Sequence, residues 1–397
     1  MKKSIITFLI IIILLIAVFY FLKSRNKAFD VRATISVAEA MANRDTSGYA
    51  RAFSPREFRF PEDHGPHPEF RTEWWYFTGN LRTENGRHFG FQFTIFRNSI
   101  SPDSLQRTSH WASNQIYMGH FAVTDVESKK FHSFERFSRG ANQLAGAQAK
   151  PFRVWLEDWA VEAINKKSED PIPVMRIRAE ENDVSIDFTL RSTKPIMLQG
   201  DQGLSQKGSE AGNASYYYSL TRLEAEGIIQ IENDRSNVSG LAWLDREWST
   251  SALDTNQVGW DWFSLQLDDG REIMYYQIRN RNGQADEFSS GKIIESDGET
   301  RRILSEEITI DVLKKWKSPR GGEYPSRWKI NIPKEKMELK IIPFLENQEL
   351  DVSVRYWEGA VQINGTANGV PITGQGYVEL TGYAEGIFQI SSRTNIK

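Results

Sequence analysis

FPEDHGPHPEFRTEWWYFTGNL, residues 60–81, is the stretch on which the reading of this chain turns. It packs two of the six histidines (His64, His67), a carboxylate (Glu73) and four consecutive aromatics (Trp74, Trp75, Tyr76, Phe77) into one short run. Such density lies far above average usage and marks core, cavity lining or both. The run also returns. Residues 259–267, GWDWFSLQL, align with residues 73–81, EWWYFTGNL, pairing Trp74 with Trp260, Tyr76 with Trp262, Phe77 with Phe263 and Leu81 with Leu267. Each copy is followed by a Gly-Arg turn, Gly86-Arg87 or Gly270-Arg271, then by an aromatic-rich run that contains Gln92 or Gln277 and closes on Arg97 or Arg279. Ordered matches over about 25 positions point to a tandem duplication.

Outward from these copies the pattern is that of strands. Phe89, Phe91, Phe93 and Ile95 alternate with Gly90, Gln92, Thr94 and Phe96, a period of two that places the first four on one face. Short runs rich in β-branched and aromatic residues recur through both halves, separated by Gly, Pro, Asn and Asp, while long 3.6-period stretches are scarce. The expected fold class is therefore all-β, built as two tandem antiparallel β-barrels. Closed barrels remove their edges and can leave a ligand-sized interior. The join is expected near Leu223, giving domains over residues 59–223 and 224–397.

The chain's 397 residues exceed one compact core. A net charge of -3 gives no electrostatic case for nucleic acid, which is excluded as a partner. With no cysteine, disulfides, thiolate zinc sites and cysteine nucleophiles are ruled out. Lys2 and Lys3 precede an uncharged apolar run over residues 4–22, which as a helix spans about 28 Å of bilayer. Charged residues follow it where a signal peptide would carry a small-residue cleavage site. Residues 1–27 are expected to be an uncleaved single-pass anchor in the cytoplasmic (inner) membrane, with the bulk of the chain extracytoplasmic and residues 28–58 a polar tether.

Several groups could carry chemistry. His64 and His67 bracket Gly65 and Pro66 on a turn, and imidazoles with a nearby carboxylate suit zinc or iron by type. The spacing matches no helical zinc signature, and no metal is assigned; the alternatives are ligand contact or backbone hydrogen bonding. Glu73 among indoles is either desolvated toward general-acid use or held by an arginine, with Arg71 and Arg82 nearby. In a strand, Asp245 and Glu247 of GLAWLDREWS, residues 240–249, share a face with each other and with Trp243, close enough for two carboxyls to serve one site. The aromatics Trp74, Trp75, Tyr76, Trp260 and Trp262 exceed what one barrel face needs, so the excess seals one barrel against the other or lines a pocket. Asp261, His120 and Tyr217 complete the set of candidate ligand contacts. No dinucleotide fingerprint, phosphate loop or serine elbow is present, and no cofactor is expected.

These residues resemble the AttH/CrtC-like family, the two-domain lipocalin-like proteins related to carotenoid 1,2-hydratase. The resemblance spans roughly residues 60–390 and rests on the opening stretch, GHFAVTD (119–125), LQGDQGLSQKG (198–208), ASYYYSLTRL (214–223), GLAWLDREWS, GWDWFSLQLDDG (259–270), YWEGAVQINGT (356–366) and GYVELTGY (376–383). It implies a pair of packed lipocalin-like β-barrels, exported, and in several relatives encoded beside transporter permeases. The carotenoid hydratases add water across a terminal isoprenoid double bond without a cofactor. By motif position Asp245 is most like their acid, with Trp243 two residues before it. Their upstream histidine and tryptophan would fall at residues 216–218, where this chain has only tyrosines.

Two functional expectations follow. One is a membrane-anchored extracytoplasmic protein that binds a lipid-like or isoprenoid ligand and serves an ABC-type transporter. The other is a cofactor-free hydratase or hydrolase that uses Asp245, Glu247 and Glu73 on an apolar substrate.

Overall fold

A computed structural model describes residues 46–103, 109, 111–165, 170–250 and 253–384. The expected membrane anchor and most of the tether lie outside the described residues. Among those described, no helix is long and apolar enough to cross a membrane. Apart from three short 3-10 turns, the regular structure described is strand, as the alternating pattern predicts.

The first sheet contains β1 (Thr72–Arg82), β2 (His88–Ser99), β3 (Gln115–Asp125), β4 (Lys130–Arg139), β5 (Ala145–Ala149), β6 (Phe152–Leu156), β7 (Trp159–Ala163), β8 (Met175–Glu181), β9 (Val184–Ser192), β10 (Met197–Leu198), β11 (Leu204–Gln206), β12 (Ala214–Ile231) and β13 (Asp234–Ser249). The second contains β14 (Gln257–Leu267), β15 (Glu272–Asn280), β16 (Ser290–Ile294), β17 (Thr300–Leu304), β18 (Thr309–Lys317), β19 (Glu323–Ile332), β20 (Met337–Pro343), β21 (Trp357–Ala367) and β22 (Val370–Leu380).

Strand order carries the duplication. The first sheet runs β4-β3-β2-β1-β13-β12-β9-β8-β7-β6-β5, with β10 and β11 added on β12; the second runs β17-β16-β15-β14-β22-β21-β20-β19-β18. In both, the first strand pairs antiparallel with the last, and the path runs out from that pair to two edges. The first sheet is a nearly closed barrel and the second a half-barrel. The expected pair of lipocalin-like domains is thus present with incomplete closure: the edge strands β17 and β18 of the second sheet do not pair with each other. The expected join near Leu223 also falls inside β12. Sheet membership changes only between Ser249 and Gln257, because β13 must return to pair with β1.

Alternation fills each concave side. Phe89, Phe91, Phe93 and Ile95 join Trp75, Phe77 and Leu81 in the first core, and Phe263, Leu265 and Leu267 join Trp328 and Trp357 in the second. Each such burial contributes about 1.5–3 kcal/mol. These interiors are packed with side chains, so the ligand-sized hollow expected inside a barrel gives way to packed core.

The convex faces meet instead. Tyr76, Tyr217 and Trp243 of the first half pack with Trp262, Met274, Tyr276, Ile278, Ala360 and Tyr377 of the second. Polar groups fix this junction: Lys194 and Arg222 both bond the Glu272 carboxylate, Asn80 Nδ2 donates to Gly376 O at 2.9 Å, and Thr124 Oγ1 donates to Gln348 Oε1 at 2.8 Å. Part of the expected tether also packs. Ala52 is buried against Phe70, Tyr216 and Trp248, and Phe58 stands edge-on to Trp248 at 5.5 Å, because residues 46–58 carry apolar side chains that the barrel end accepts.

Candidate functional site: a cavity between the two halves

The parity that sends Trp75 and Phe77 into the first core sends Trp74 and Tyr76 outward, and the same holds for Trp260 and Trp262 on β14. Between these outward faces lies a cavity of about 110 Å³. The first half lines it with Trp74, Tyr76, Phe96, Lys207, Ser215, Tyr217, Asp245 and Glu247. The second supplies Trp260, Trp262, Tyr276, Ile278, Tyr356, Glu358 and Glu379. Tyr76 and Trp262, matched positions of the duplication, meet edge to face at 5.1 Å across the junction.

Asp245 sits on β13 opposite Tyr76 of β1 and Ser219 of β12. Between Leu220 and Leu223 the register shifts, leaving Thr221 and Arg222 on the bulged strand against Trp243. Bulges re-aim side chains, and this one lets Tyr217 and Ser219 face Asp245 while Leu220 and Leu223 both remain in the core. The Asp245 carboxyl accepts from the Tyr217 hydroxyl, from Ser219 Oγ at 2.5 Å and from Trp243 Nε1 at 2.6 Å. Burial pushes its pKa up to about 7, opposed by the three donors. An acid so placed is poised to give up a proton near neutrality, and its donors already point where the resulting charge will reside. Glu247 lies two residues on, bonded by Ser215 Oγ and 3.3 Å from Lys207 Nζ. Burial lowers the Lys207 pKa, but facing Glu247 and Tyr276 carry it above its usual value.

Two further carboxyls were not singled out from the sequence. Glu358 on β21 and Glu379 on β22 are register partners. Burial drives Glu358 well above the usual range, with the nearby Glu379 adding to it, and pushes Glu379 up to about 8. Tyr76 Oη donates to Glu358 Oε2 at 2.6 Å, and Trp260 Nε1 donates to Glu379 Oε1 at 3.2 Å. Register supplies the signal that was overlooked. Asp245 stands opposite Tyr76 and Glu379 opposite Trp262, so GYVEL in the second copy overlies AWLDR in the first, acid on acid.

Other sequence candidates lie elsewhere. Glu73 is fully buried between Arg97 and Arg246, with the His67 backbone N–H at 3.1 Å. Burial would raise its pKa, but the two guanidiniums hold it far below the usual range, so Glu73 is an ion-pair centre and not the expected proton donor. The arginines that hold it come from β2 and β13. His67 stacks on Trp248 at 3.8 Å and reaches Asp63 at 3.0 Å. His64 receives a hydrogen bond from Tyr218 Oη and donates to Pro171 O, each at 2.6 Å, and burial lowers its pKa to about 4. Trp75 points into the first core, and Asp261 pairs with Arg279 and Tyr383. None of these five, nor His120, lines the cavity. Among the described residues no cluster of three or more His, Asp or Glu is placed to hold a metal. His120 Nδ1 accepts from Tyr356 Oη at 2.6 Å while Nε2 donates to Glu135 at 3.0 Å, so it touches the cavity wall from behind. Trp243 reaches the site through Asp245.

The fold defines a two-domain lipocalin-like protein with a cavity between its halves. A family model described as AttH-like matches residues 51–383, and the chain belongs to the AttH-like family. A crystal structure of a protein from Nitrosomonas europaea described as an AttH superposes with TM-score 0.75 at 35% identity, covering 85% of this chain and 100% of that one. Kievitone hydratase from Nectria haematococca superposes with TM-score 0.65 at 16% identity, covering 85% and 96%. CghA, in a complex with Sch210972, gives 0.51 at 13%, covering 85% and 97%. At these last two identities the likeness is one of fold. No curated protein matches the chain.

Proposed function

We propose that the cavity adds water to an alkene carried by an apolar, isoprenoid-like molecule, with Asp245 as proton donor. The observation that carries this reading is an acid with its pKa near 7 set among indole and phenol rings and already ringed by donors. Burying the Asp245 carboxyl costs stability through desolvation, and a perturbed acid in a cavity favours proton transfer there.

In the proposed step the Asp245 proton and the alkene π electrons form a new C–H bond, leaving the neighbouring carbon cationic. The faces of Trp74, Trp260 and Trp262 stabilise that charge. Water bonds to the cation and loses a proton to Glu247. Tyr217, Ser219 and Trp243 stabilise the Asp245 carboxylate left behind. Tyr217 thus serves Asp245 in the segment where the hydratases it resembles carry histidine and tryptophan.

The cavity is close to the size that takes one benzene-sized group, about 150 Å³ in an engineered protein, so one end of a longer molecule enters. Incubation with an acyclic carotenoid or isoprenoid tests the reading: a product heavier by one water, absent with Asp245→Asn, supports it, and an unchanged substrate rejects it. We also propose that the apolar N-terminal run tethers this site at the outer face of the cytoplasmic membrane, where its substrates dissolve, beside a transporter. Fractionation and co-purification check that placement.

A further inference from the structure

We propose that the facing carboxyls of Glu358 and Glu379 form a second subsite whose free O–H, on Glu358, donates a hydrogen bond to an oxygen on the ligand, so that the ligand is an oxygenated apolar molecule, a ketone, enone or alcohol, and not a hydrocarbon. This rests on the reading that the cavity takes an apolar alkene and deepens it by naming a second functional group.

The two acids face each other from adjacent strands on the same side of the second sheet. Opposed side chains in a ladder have Cβ atoms about 5 Å apart, and two carboxyls at that range do not both ionise in an apolar box. The cation lining the cavity, Lys207, is engaged by Glu247. The shift of both acids to high pKa agrees with this.

Hydrogen bonding then places the protons. Oε2 of Glu358 accepts from Tyr76, so the acid proton sits on Oε1. That buried atom has no partner among the described residues. Across the ladder Glu379 accepts from Trp260 at Oε1. An unsatisfied buried donor beside a cavity costs about 1–3 kcal/mol until something accepts from it. A carbonyl or hydroxyl oxygen does so, and a hydrocarbon does not. A neutral carboxylic acid donating to a ligand oxygen is a known device where an apolar site holds the acid protonated.

The test is binding, and it needs no turnover. Quenching of the cavity tryptophans reports affinity for two probes, geranylacetone and the hydrocarbon of the same skeleton without the oxygen. We expect the ketone to bind about 10-fold more tightly or better. Its C=O stretch should move to lower frequency when bound. Glu358→Met should abolish the preference while keeping hydrocarbon binding. Equal affinities, or an unshifted carbonyl in the wild-type complex, overturn the subsite whether or not the variant folds. Binding of the ketone with no water added would leave the subsite standing and reject the hydration reading. Failure of both probes to bind rejects both.

Discussion

Asp245 and Glu379 occupy the same place in two copies of one sheet: each lies on the last strand, opposite the second outward-facing aromatic of the first. Each also accepts from an indole N–H, Trp243 for Asp245 and Trp260 for Glu379. Their settings differ in donor number, three against one, so the Asp245 carboxylate is the better stabilised once its proton has left. Asp245 is therefore the readier proton donor. Asp245→Asn should lower hydration of an acyclic isoprenoid by about 100- to 10,000-fold, read as product per unit time, with ligand binding retained.

Removing one donor should move the acid. The hydroxyl of Tyr217 stabilises the charged form of Asp245, so Tyr217→Phe raises the Asp245 pKa above about 7. The alkaline limb of the pH–rate profile, where Asp245 loses its proton, should then shift to higher pH. A profile unchanged in position would show that another group sets that limb.

Stability should also depend on these acids. Asp245 has its pKa raised from 3.8 to about 7, so between those values the native state keeps a proton that the unfolded chain has released. Native stability therefore falls as pH rises through that window, by about 1.4 kcal/mol per pH unit for the one group, and levels off above it. Glu379 acts in the same sense between 4.5 and about 8. Urea unfolding over this range should show a slope in the wild type that Asp245→Asn and Glu379→Gln each reduce.

Glu73 works in the opposite sense. Its carboxylate is held by Arg97 and Arg246, all three buried, so its contribution is present above 4.5 and is lost as pH falls through its depressed native value. Glu73→Gln leaves two buried guanidiniums short of a counter-charge and should cost about 3–5 kcal/mol in urea unfolding. Added salt should change that cost little, because the cluster is out of solvent.

Much of this was legible in the sequence. Period-two alternation found the strands, and the returning aromatic run found the duplication, down to Arg97 and Arg279, which sit at equivalent ladder positions opposite Glu73 and Gly259. Parity placed Trp243, Asp245 and Glu247 on one side. Two things were hidden for physical reasons. Sequence distance says nothing about which arginine reaches a buried acid: pairing of Glu73 with an arginine is one of the two sequence expectations, but that Arg97 of β2 and Arg246 of β13 supply it appears only in the fold. The cavity forms only when two convex faces meet, and neither half shows it alone. Glu358 and Glu379 look like ordinary strand residues until β21 and β22 are laid against β14.

The pairing of first strand with last has a consequence for how such a chain arises. A sheet whose two ends lie side by side can be copied head to tail without rerouting its path. Two such copies facing across a shared hollow bring acids of equivalent register to both of its sides, as Asp245 and Glu379 do here. Joining them in one chain frees each side to diverge: the carboxyl of Asp245 gathers three donors, while that of Glu379 keeps one.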